Sequence, residues 1–200
     1  MKKINLILLL MFFISSNAFS QVTWEKLFSK ESSDVFRCVQ EVQTVGGGYI
    51  AAGYTADSTV NDTDAFVVRL NINGDTLWTY TYNGPLSKKD IFYKVIGTSD
   101  GGFITCGYTT SVTGLSDDVL YVKLNSSGQL QWVKTYGGLR TERGQDIVET
   151  SDGYTIAGYR TTTSQYYDAM LLHTDLNGDT LWSKVIGGPD YDDANTIKQL

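Results

Sequence analysis

Few residues in this sequence are of the types that carry nucleophilic, acid–base or metal chemistry. Its 200 residues include one histidine, His173, and two cysteines, Cys38 and Cys106. This is little material for a thiolate or imidazole cage, so we expect no metal centre and no bound cofactor. A single histidine still permits a catalytic triad, but His173 stands where other copies of an internal repeat carry Arg69 and Lys123. We therefore expect an exposed basic position rather than a catalytic one.

The sequence leaves open whether the two cysteines pair. An exported protein can form a disulfide, but a sequence cannot place two Cα atoms within the required ~7 Å. The cysteines stand at non-equivalent places of the repeat, with Cys38 aligned to Phe92 and Cys106 aligned to Ala52 and Ala157. We expect two separate buried thiols.

Three aspartates recur at one place in the repeat and could form a shared catalytic dyad with other carboxylates. Asp64, Asp118 and Asp168 are spaced 54 and 50 residues apart, and each opens an apolar run. A carboxylate that recurs at the same position of a repeat usually accepts hydrogen bonds from backbone N–H groups in a turn. We therefore assign no catalytic residue.

Residues 175–179, Asp-Leu-Asn-Gly-Asp, begin like a calcium-binding loop. The glycine, Gly178, falls at the wrong place for such a loop, and no distal Glu follows at the required spacing. Gly74 and Gly128 occupy the same place in the other copies. Because glycine supplies the positive φ of a tight hairpin, the pattern predicts three hairpin turns.

Three connections differ between the copies and are the candidate ligand-binding segments. Residues 56–63, 110–117 and 161–167 are rich in hydroxyl side chains, and loops on a rigid scaffold often carry binding sites. Hydroxyls with a tyrosine pair could hydrogen-bond and stack on a glycan, whereas the alternative is a set of solvated loops. The candidate residues are Tyr166, Tyr167, Asn61 and Asp62.

The elements that position these residues form an internal repeat. Four tryptophans lie 54, 54 and 50 residues apart, and three Gly-Tyr pairs lie 54 and 51 residues apart. Independent landmarks with one period indicate a solenoid, propeller or array. The repeat landmarks are Trp24, Trp78, Trp132, Trp182, Gly53, Gly107, Gly158, Asp64, Asp118 and Asp168.

Each period contains four strand-like segments. In the second copy these are residues 76–82, 90–98, 102–109 and 118–125, rich in β-branched and aromatic residues and bounded by turn residues. Apolar runs such as 65–68 do not alternate, which is typical of strands covered on both faces. The sequence therefore predicts an all-β protein, a β-propeller of four-stranded blades with repeats of about 50–54 residues.

Composition and the N-terminus indicate export. The chain is 42% hydrophobic with a net charge of −6, which argues against a nucleic-acid partner. Lys2 and Lys3 precede an apolar run over residues 4–14 that is too short to span a membrane, and a small polar segment follows. We predict a signal peptide at residues 1–20 and no transmembrane segment. The mature protein is expected in the periplasm, at the cell surface or outside the cell.

Two phrases of the repeat, GGYIAAGYT (47–55) and DAFVVRLNINGDTLWTYTYNG (64–84), resemble secreted β-propeller repeat proteins of Bacteroidetes-type bacteria. Such proteins often carry a C-terminal sorting domain for type IX secretion. The resemblance covers residues 21–200 and implies that the Asp-led segment is the innermost strand and the Trp-bearing segment the outer edge. The implied blades are about 34–82, 88–136 and 143–186. In this strand order the Trp78 segment pairs with residues 64–71.

The function expected from these features is a non-catalytic binding or scaffold module with a protein or polysaccharide partner. The alternative is a propeller hydrolase or lyase that acts on polysaccharide, with its site in a part of the ring missing here. An enzyme needs a constellation that breaks the repeat, and these copies favour the binding module.

The pattern also predicts an incomplete arc of about three blades. An outer strand at 22–28 precedes the blades and the start of a further blade at 193–200 follows them, whereas propellers usually have four to eight blades. The remaining blades would come from downstream sequence. Because bare sheet faces and edges associate, the 200-residue chain without its signal peptide should self-associate in sedimentation experiments. A monodisperse monomer that melts cooperatively in calorimetry would contradict this expectation.

Overall fold

A computed structural model describes Glu25 and residues 33–43, 46–57, 62–85, 88–110, 116–162 and 166–199. The predicted signal peptide (1–20), Trp24 and nearly all of the predicted strand 22–28 lie outside these residues. The described residues are all-β, with twelve strands in three antiparallel four-stranded sheets and no helix. A helix able to cross a membrane is accordingly not found among them. The arrangement is consistent with an incomplete propeller.

Each sheet is built from four strands that are consecutive in the chain. Sheet 1 contains β1 (Ser33–Glu41), β2 (Tyr49–Asp57), β3 (Asp62–Leu70) and β4 (Thr76–Tyr82). Sheet 2 contains β5 (Asp90–Gly97), β6 (Phe103–Thr110), β7 (Asp117–Leu124) and β8 (Leu130–Tyr136). Sheet 3 contains β9 (Glu142–Glu149), β10 (Gly153–Thr161), β11 (Tyr167–Asp175) and β12 (Thr180–Ile186).

The strand order within a sheet confirms the order expected from the resemblance. β4 pairs with β3, with Trp78 opposite Arg69. The first strand of each later sheet lies against the sheet before it: β5 contacts β1, β2 and β3, and β9 contacts β5, β6 and β7. β4, β8 and β12 are the outer edges.

The three turns between the third and fourth strands are hairpins, as predicted. In the first, the side-chain oxygen of Asn71 accepts the backbone N–H groups of Asn73 and Asp75, each at 2.9 Å. Asn125 and Asp175 make the equivalent bonds in sheets 2 and 3. The turn glycines have φ values of 82°, 78° and 80°. The side chain of the first turn residue therefore accepts backbone hydrogen bonds instead of binding a metal ion.

The pairing of the first two strands in each sheet corrects the alignment of Cys38. Cys38 lies opposite Ala52 in sheet 1 and Lys94 lies opposite Cys106 in sheet 2, in both cases beside a β-bulge. Cys38 is thus equivalent to Lys94 rather than to Phe92. A constant spacing misaligns the two because the connection between the first two strands is two residues longer in sheet 1 (42–48) than in sheet 2 (98–102).

The sheets pack face to face and enclose two apolar cores. Both cores continue onto the outer strand, since the Trp78 ring lies 5.6 Å from Phe103 and the Trp132 ring 5.9 Å from Tyr121. The core between sheets 1 and 2 includes Ile50, Ala52, Ala65, Val67, Phe92, Val95, Leu120, Val122 and Leu124. The core between sheets 2 and 3 includes Ile104, Cys106, Val119, Tyr121, Ile147, Ile156, Met170 and Leu172.

The basic position of the repeat is buried, which contradicts the expectation of an exposed one. Arg69, Lys123 and His173 are only 6%, 3% and 7% exposed. Each lies opposite the tryptophan of the neighbouring outer strand, and the His173 ring stacks on Trp182 at 5.1 Å. The tryptophan covers the basic side chain, and this cross-strand packing cannot be read from composition.

Each buried basic side chain is satisfied by polar groups of its own sheet. Arg69 Nη1 donates to Tyr49 O at 3.2 Å. Lys123 Nζ lies 2.8 Å from Asp100 Oδ2. His173 Nδ1 is hydrogen-bonded to Thr155 Oγ1 at 2.9 Å. Buried polar groups with partners are a normal part of a core, so His173 is structural here.

Residues 187–199, which we call the tail, follow β12. The sequence predicts a strand at 193–200, but residues 193–199 form no strand ladder because no further strand lies beside them among the described residues. The tail nevertheless begins with the same hydrogen bond, from a glycine N–H to an aspartate carboxylate, that precedes β5. Gly188 N donates to Asp192 Oδ2 at 2.8 Å, and the equivalent bond before β5 joins Gly84 N to Asp90 Oδ2 at 2.5 Å.

The later part of the tail repeats a second contact of β5. Ile197 N donates to Asp146 Oδ2 at 3.0 Å, and Val95 N in β5 donates to Cys38 Sγ at 3.2 Å. Asp146 and Cys38 are equivalent residues beside their bulges. The tail therefore occupies the place on sheet 3 that β5 occupies on sheet 1.

Substitution of two turn glycines by alanine tests the packing between sheets. A Cβ added at Gly178 would lie 2.9 Å from the Trp132 ring, whereas one at Gly101 meets nothing within 4 Å, and both residues have φ +80°. Gly101→Ala should cost about 1–2 kcal/mol of unfolding free energy from the left-handed backbone alone. Gly178→Ala should cost a further ~1–3 kcal/mol from overpacking. Urea denaturation of both variants measures the difference, and equal losses would contradict this packing.

Candidate functional site

The Gly-Tyr pairs place three equivalent tyrosines beside the first strand of each sheet. A Cβ at Gly53, Gly107 or Gly158 would overlap a backbone carbonyl of the neighbouring strand. Only glycine allows this close approach. The next residue is Tyr54 in sheet 1, and its equivalents in sheets 2 and 3 are Tyr108 and Tyr159.

These tyrosines and two arginines form a row across the three sheets. The guanidinium carbon of Arg37 lies 5.5 Å from the Tyr54 ring centroid and 5.7 Å from that of Tyr93. The rings of Tyr93 and Tyr108 are 5.7 Å apart. The guanidinium carbon of Arg143, from β9, lies 4.0 Å from the Tyr108 ring centroid. Cation–π contacts of this kind link each sheet to the next.

Arg143 is a structural brace within this row. Its Nε donates to Asp117 Oδ2 at 2.8 Å, and its Nη2 donates to the same oxygen. Burial alone would lower the pKa of this guanidinium, but Asp117 raises it above its ordinary value. Burial raises the pKa of Tyr108 to about 12, so its hydroxyl stays neutral. Both side chains are engaged inside the protein and do not face a ligand.

The row ends on sheet 3 in four tyrosines in ring-to-ring contact, which we call the tyrosine cluster. The ring of Tyr159 lies 4.6 Å from that of Tyr167, and the ring of Tyr191 lies 4.7 Å from Tyr167 and 4.8 Å from Tyr166. Tyr166 is 36% exposed and Tyr191 is 59% exposed. Tyr166 and Tyr191 are thus the exposed rings of the cluster.

The structure brings two of the four predicted ligand-binding residues, Tyr166 and Tyr167, into this cluster. It also adds Tyr191, which sequence reasoning missed. Tyr191 lies in the tail, and Asp192 N donates to Tyr167 O at 2.8 Å, which fixes the tail against β11. The signal that could have found Tyr191 is its place just before Asp192, the residue equivalent to Asp90.

Of the other two predicted residues, Asn61 lies outside the described residues and Asp62 is not part of the cluster. Asp62 opens β3 beside Asp64, and both approach Asp90 of β5 closely enough to affect the pKa of its carboxyl. The three described candidates therefore belong to two places, with Asp62 in sheet 1 and the tyrosines on sheet 3.

Two of the recurring aspartates, Asp64 and Asp118, face an acidic residue of the next sheet, Asp90 and Glu142 respectively. Asp118 accepts the backbone N–H of Gly138, which is the turn role expected of it. Its Oδ1 atom, like the Oδ1 atoms of Asp64 and Asp168, is buried and accepts no hydrogen bond among the described residues. Burial raises the pKa of Asp118 and also that of Glu142, which Asp118 raises further. In the described part of the chain, no three His, Cys, Asp or Glu residues are grouped to hold a metal ion.

Both cysteines are free thiols, in agreement with the expectation of separate thiols. Cys106 is buried in the core between sheets 2 and 3, and Cys38 accepts the backbone N–H of Val95. Burial raises the pKa of each thiol. A thiol held in its neutral form is a poor nucleophile.

The opposite ends of the sheets contain two grooves at equivalent positions. One, of about 470 Å³, includes Trp78 and Arg69, and the other, of about 290 Å³, includes Trp132 and Lys123. Their polar groups already have partners: Trp78 Nε1 donates to Ser126 O at 3.2 Å, and Lys123 is ion-paired. These grooves are joints between sheets, and the tyrosine cluster is the stronger candidate site.

Comparisons with known proteins do not extend this picture. No protein-family model matches the chain, and no curated protein matches it.

Two carboxylates should respond to pH with opposite signs. Asp90 is 2% exposed, and its burial raises its pKa, with Asp64 and Asp62 adding to the effect. Stability from such a group is greatest below the unfolded pKa of about 4 and is lost as pH rises. Asp90→Asn should therefore gain in unfolding free energy relative to the wild type as pH rises from about 4 to 7.

Asp100 provides the control. Burial acts to raise its pKa, but the hydrogen bonds from Lys123 and Thr98 outweigh burial and lower the pKa to about 2. Its contribution is present above about pH 4 and is lost as pH falls through about 2. Asp100→Asn should lose stability relative to the wild type as pH rises from about 2 to 4. Urea denaturation at several pH values measures both trends, and trends of the same sign would be inconsistent with this electrostatic account.

Proposed function

We propose that the protein is an exported, non-catalytic β-propeller whose tyrosine cluster binds a polysaccharide. In this proposal it acts as a binding or scaffold module in the periplasm, at the cell surface or outside the cell. The single observation that carries the binding role is the exposed tyrosine cluster at the end of the row.

The repeat pattern supports the propeller part of the proposal. Tryptophans 54, 54 and 50 residues apart are the spacing expected of blades of similar length. The three described sheets stack in chain order, and the tail is placed on sheet 3 as the first strand of a further blade would be. Four-stranded sheets stacked around an axis are the plan of a propeller.

The chemistry of tyrosine supports a sugar ligand. A tyrosine ring offers an apolar face for the C–H groups of a sugar ring and a hydroxyl for its polar edge. It also loses little conformational entropy on binding, because it has only two side-chain torsions. Tyr166 and Tyr191 offer two such rings at an angle of 72°.

Export is supported by the N-terminal sequence and by the resemblance to secreted repeat proteins. Two lysines, an apolar run over residues 4–14 and a small polar segment form the pattern of a signal peptide. Removal of residues 1–20 takes two lysines away and changes the net charge from −6 to −8. Export by this signal peptide would bring the protein to a partner outside the cytoplasm.

Substitution of the exposed tyrosines tests the proposal. The chain without residues 1–20 is screened against polysaccharides, and the best ligand is titrated by calorimetry. Tyr191→Ala and Tyr166→Ala should each raise Kd about 5–10-fold, because each removes a ring contact of about 1 kcal/mol. The chain length of the polysaccharide should stay unchanged, which distinguishes binding from a hydrolase or lyase.

Leu130→Ala is the matched control. Leu130 is 50% exposed on the outer strand of sheet 2, outside the cluster, so its loss should leave Kd unchanged. Failure to bind any polysaccharide, or equal effects of the tyrosine and leucine variants, overturns the proposal. Capture of a protein instead of a polysaccharide also overturns it.

A further inference from the structure

A shallow cavity of about 360 Å³, widely open to solvent, lies beside the tyrosine cluster on sheet 3. It is lined by Arg140, Arg160, Thr161, Thr162 and Val185. Thr162 joins the cavity to the cluster, because its backbone N–H and its Oγ1 donate to Tyr166 O at 2.8 and 3.0 Å. The cavity and the aromatic surface are therefore parts of one continuous area.

Two guanidinium groups give this cavity a positive charge. Arg160 Nε lies 2.8 Å from Glu142 Oε1, and Glu142 is a carboxylate with only 1% of its side chain exposed, whereas Arg160 is 38% exposed. The contact is an ion pair whose geometry does not meet that of a hydrogen bond, and the two Nη groups of a guanidinium carry four further donors. Arg140 makes a long 3.4 Å contact from Nη1 to Thr161 O. A planar guanidinium matches carboxylate and sulfate oxygens in geometry as well as in charge.

Arg160 departs from the repeat. The position of Arg160 is threonine in the other two copies, Thr55 and Thr109. In sheet 2 the Thr109 hydroxyl is sufficient to hydrogen-bond Asp90, the counterpart of Glu142. The repeat therefore folds without a guanidinium at this place.

The second arginine, Arg140, lies two residues before Glu142. The residue two before Asp90 in sheet 2 is Lys88, and the residue two before Asp192 in the tail is Asp190. A cation at this position is therefore shared with sheet 2, and the second guanidinium, Arg160, is what distinguishes sheet 3. The two guanidinium groups converge on one cavity in a chain whose net charge is −6.

We propose that the cavity and the tyrosine cluster together bind an acidic polysaccharide. The sugar ring lies on Tyr166 and Tyr191, and its carboxylate or sulfate ester enters the cavity between Arg140 and Arg160. This inference rests on the proposed function and names the ligand class for the same site. Carboxylate and sulfate share the chemistry that is recognised, an oxyanion attached to a sugar ring.

Two matched pairs of polymers test the charge requirement in the chain without residues 1–20. Polygalacturonate is compared with its methyl ester, which has the same backbone without the carboxylate charge. Dextran sulfate is compared with dextran in the same way. At least one acidic member should bind about 10-fold more tightly than its neutral counterpart, as expected for a charge-assisted hydrogen bond. The member that binds identifies the oxyanion.

Variants of the cavity place the effect at the arginines. Arg140→Gln should remove the preference for the acidic polymer, with about a 10-fold rise in Kd, and should leave the neutral polymer unaffected. Lys184→Gln is the charge-matched control, because Lys184 precedes the cavity residue Val185 and points to the other face of β12. Arg160→Gln is made together with Glu142→Gln, so that no buried carboxylate is left alone, and should act as Arg140→Gln does.

The outcomes separate this inference from the proposed function. Equal binding of acidic and neutral polymers, with loss of both in Tyr191→Ala, overturns the acidic ligand and leaves polysaccharide binding intact. Equal losses in Arg140→Gln and Lys184→Gln also overturn it, since the attraction would then be general. Binding of neither polymer in either pair overturns the inference. Failure on a wider polysaccharide panel as well overturns the proposed function.

Discussion

The contact of each sheet with the next, face to face, is the interaction on which the rest of the molecule depends. In β7, Val119 and Tyr121 enter the core with sheet 3, whereas Leu120, Val122 and Leu124 enter the core with sheet 1. Burial of an apolar side chain of this size stabilises the fold by about 1.5–3 kcal/mol. Because both faces of the strand are used, its sequence is a continuous apolar run, and a polar residue is tolerated only where partners are supplied. Lys123 meets this condition through Asp100, Gln131 and a backbone carbonyl.

The features of the fold that could be predicted are those set by local backbone geometry. The turn glycines identify the hairpins because a tight turn requires positive φ at one fixed position. The spacing of the tryptophans identifies the outer strands, since the rings of Trp78 and Trp132 pack against the turn of the next sheet, at Gly128 and Gly178. The alignment of Cys38 and the burial of His173 depend instead on which residues lie across from them. A single sequence does not contain that information.

The candidate site was predictable only in part, for a similar reason. Tyr166 and Tyr167 stand out in a variable connection, and the Gly-Tyr motif marks Tyr159. Tyr191 lies more than twenty residues farther along the chain and reaches the cluster only because Asp192 is hydrogen-bonded to Tyr167 O. Arg160 was not predicted as a site residue because the other copies carry threonine at its position. In both cases the contact depends on tertiary placement and not on local sequence.

One structural slot explains why an aromatic surface forms on sheet 3 and not on sheet 2. In sheet 2 the slot between Tyr108 and Asp117 is closed by Arg143, whose guanidinium is held by the carboxylate and covers the ring. In sheet 3 the equivalent residues are Tyr159 and Tyr167, and Tyr191 contacts Tyr167 there. A tyrosine ring that is held on one side keeps its other face and its hydroxyl accessible, and Tyr191 is 59% exposed. Two changes at equivalent positions, Asp117 to Tyr167 and Arg143 to Asp193, thus replace a brace between sheets by an exposed surface.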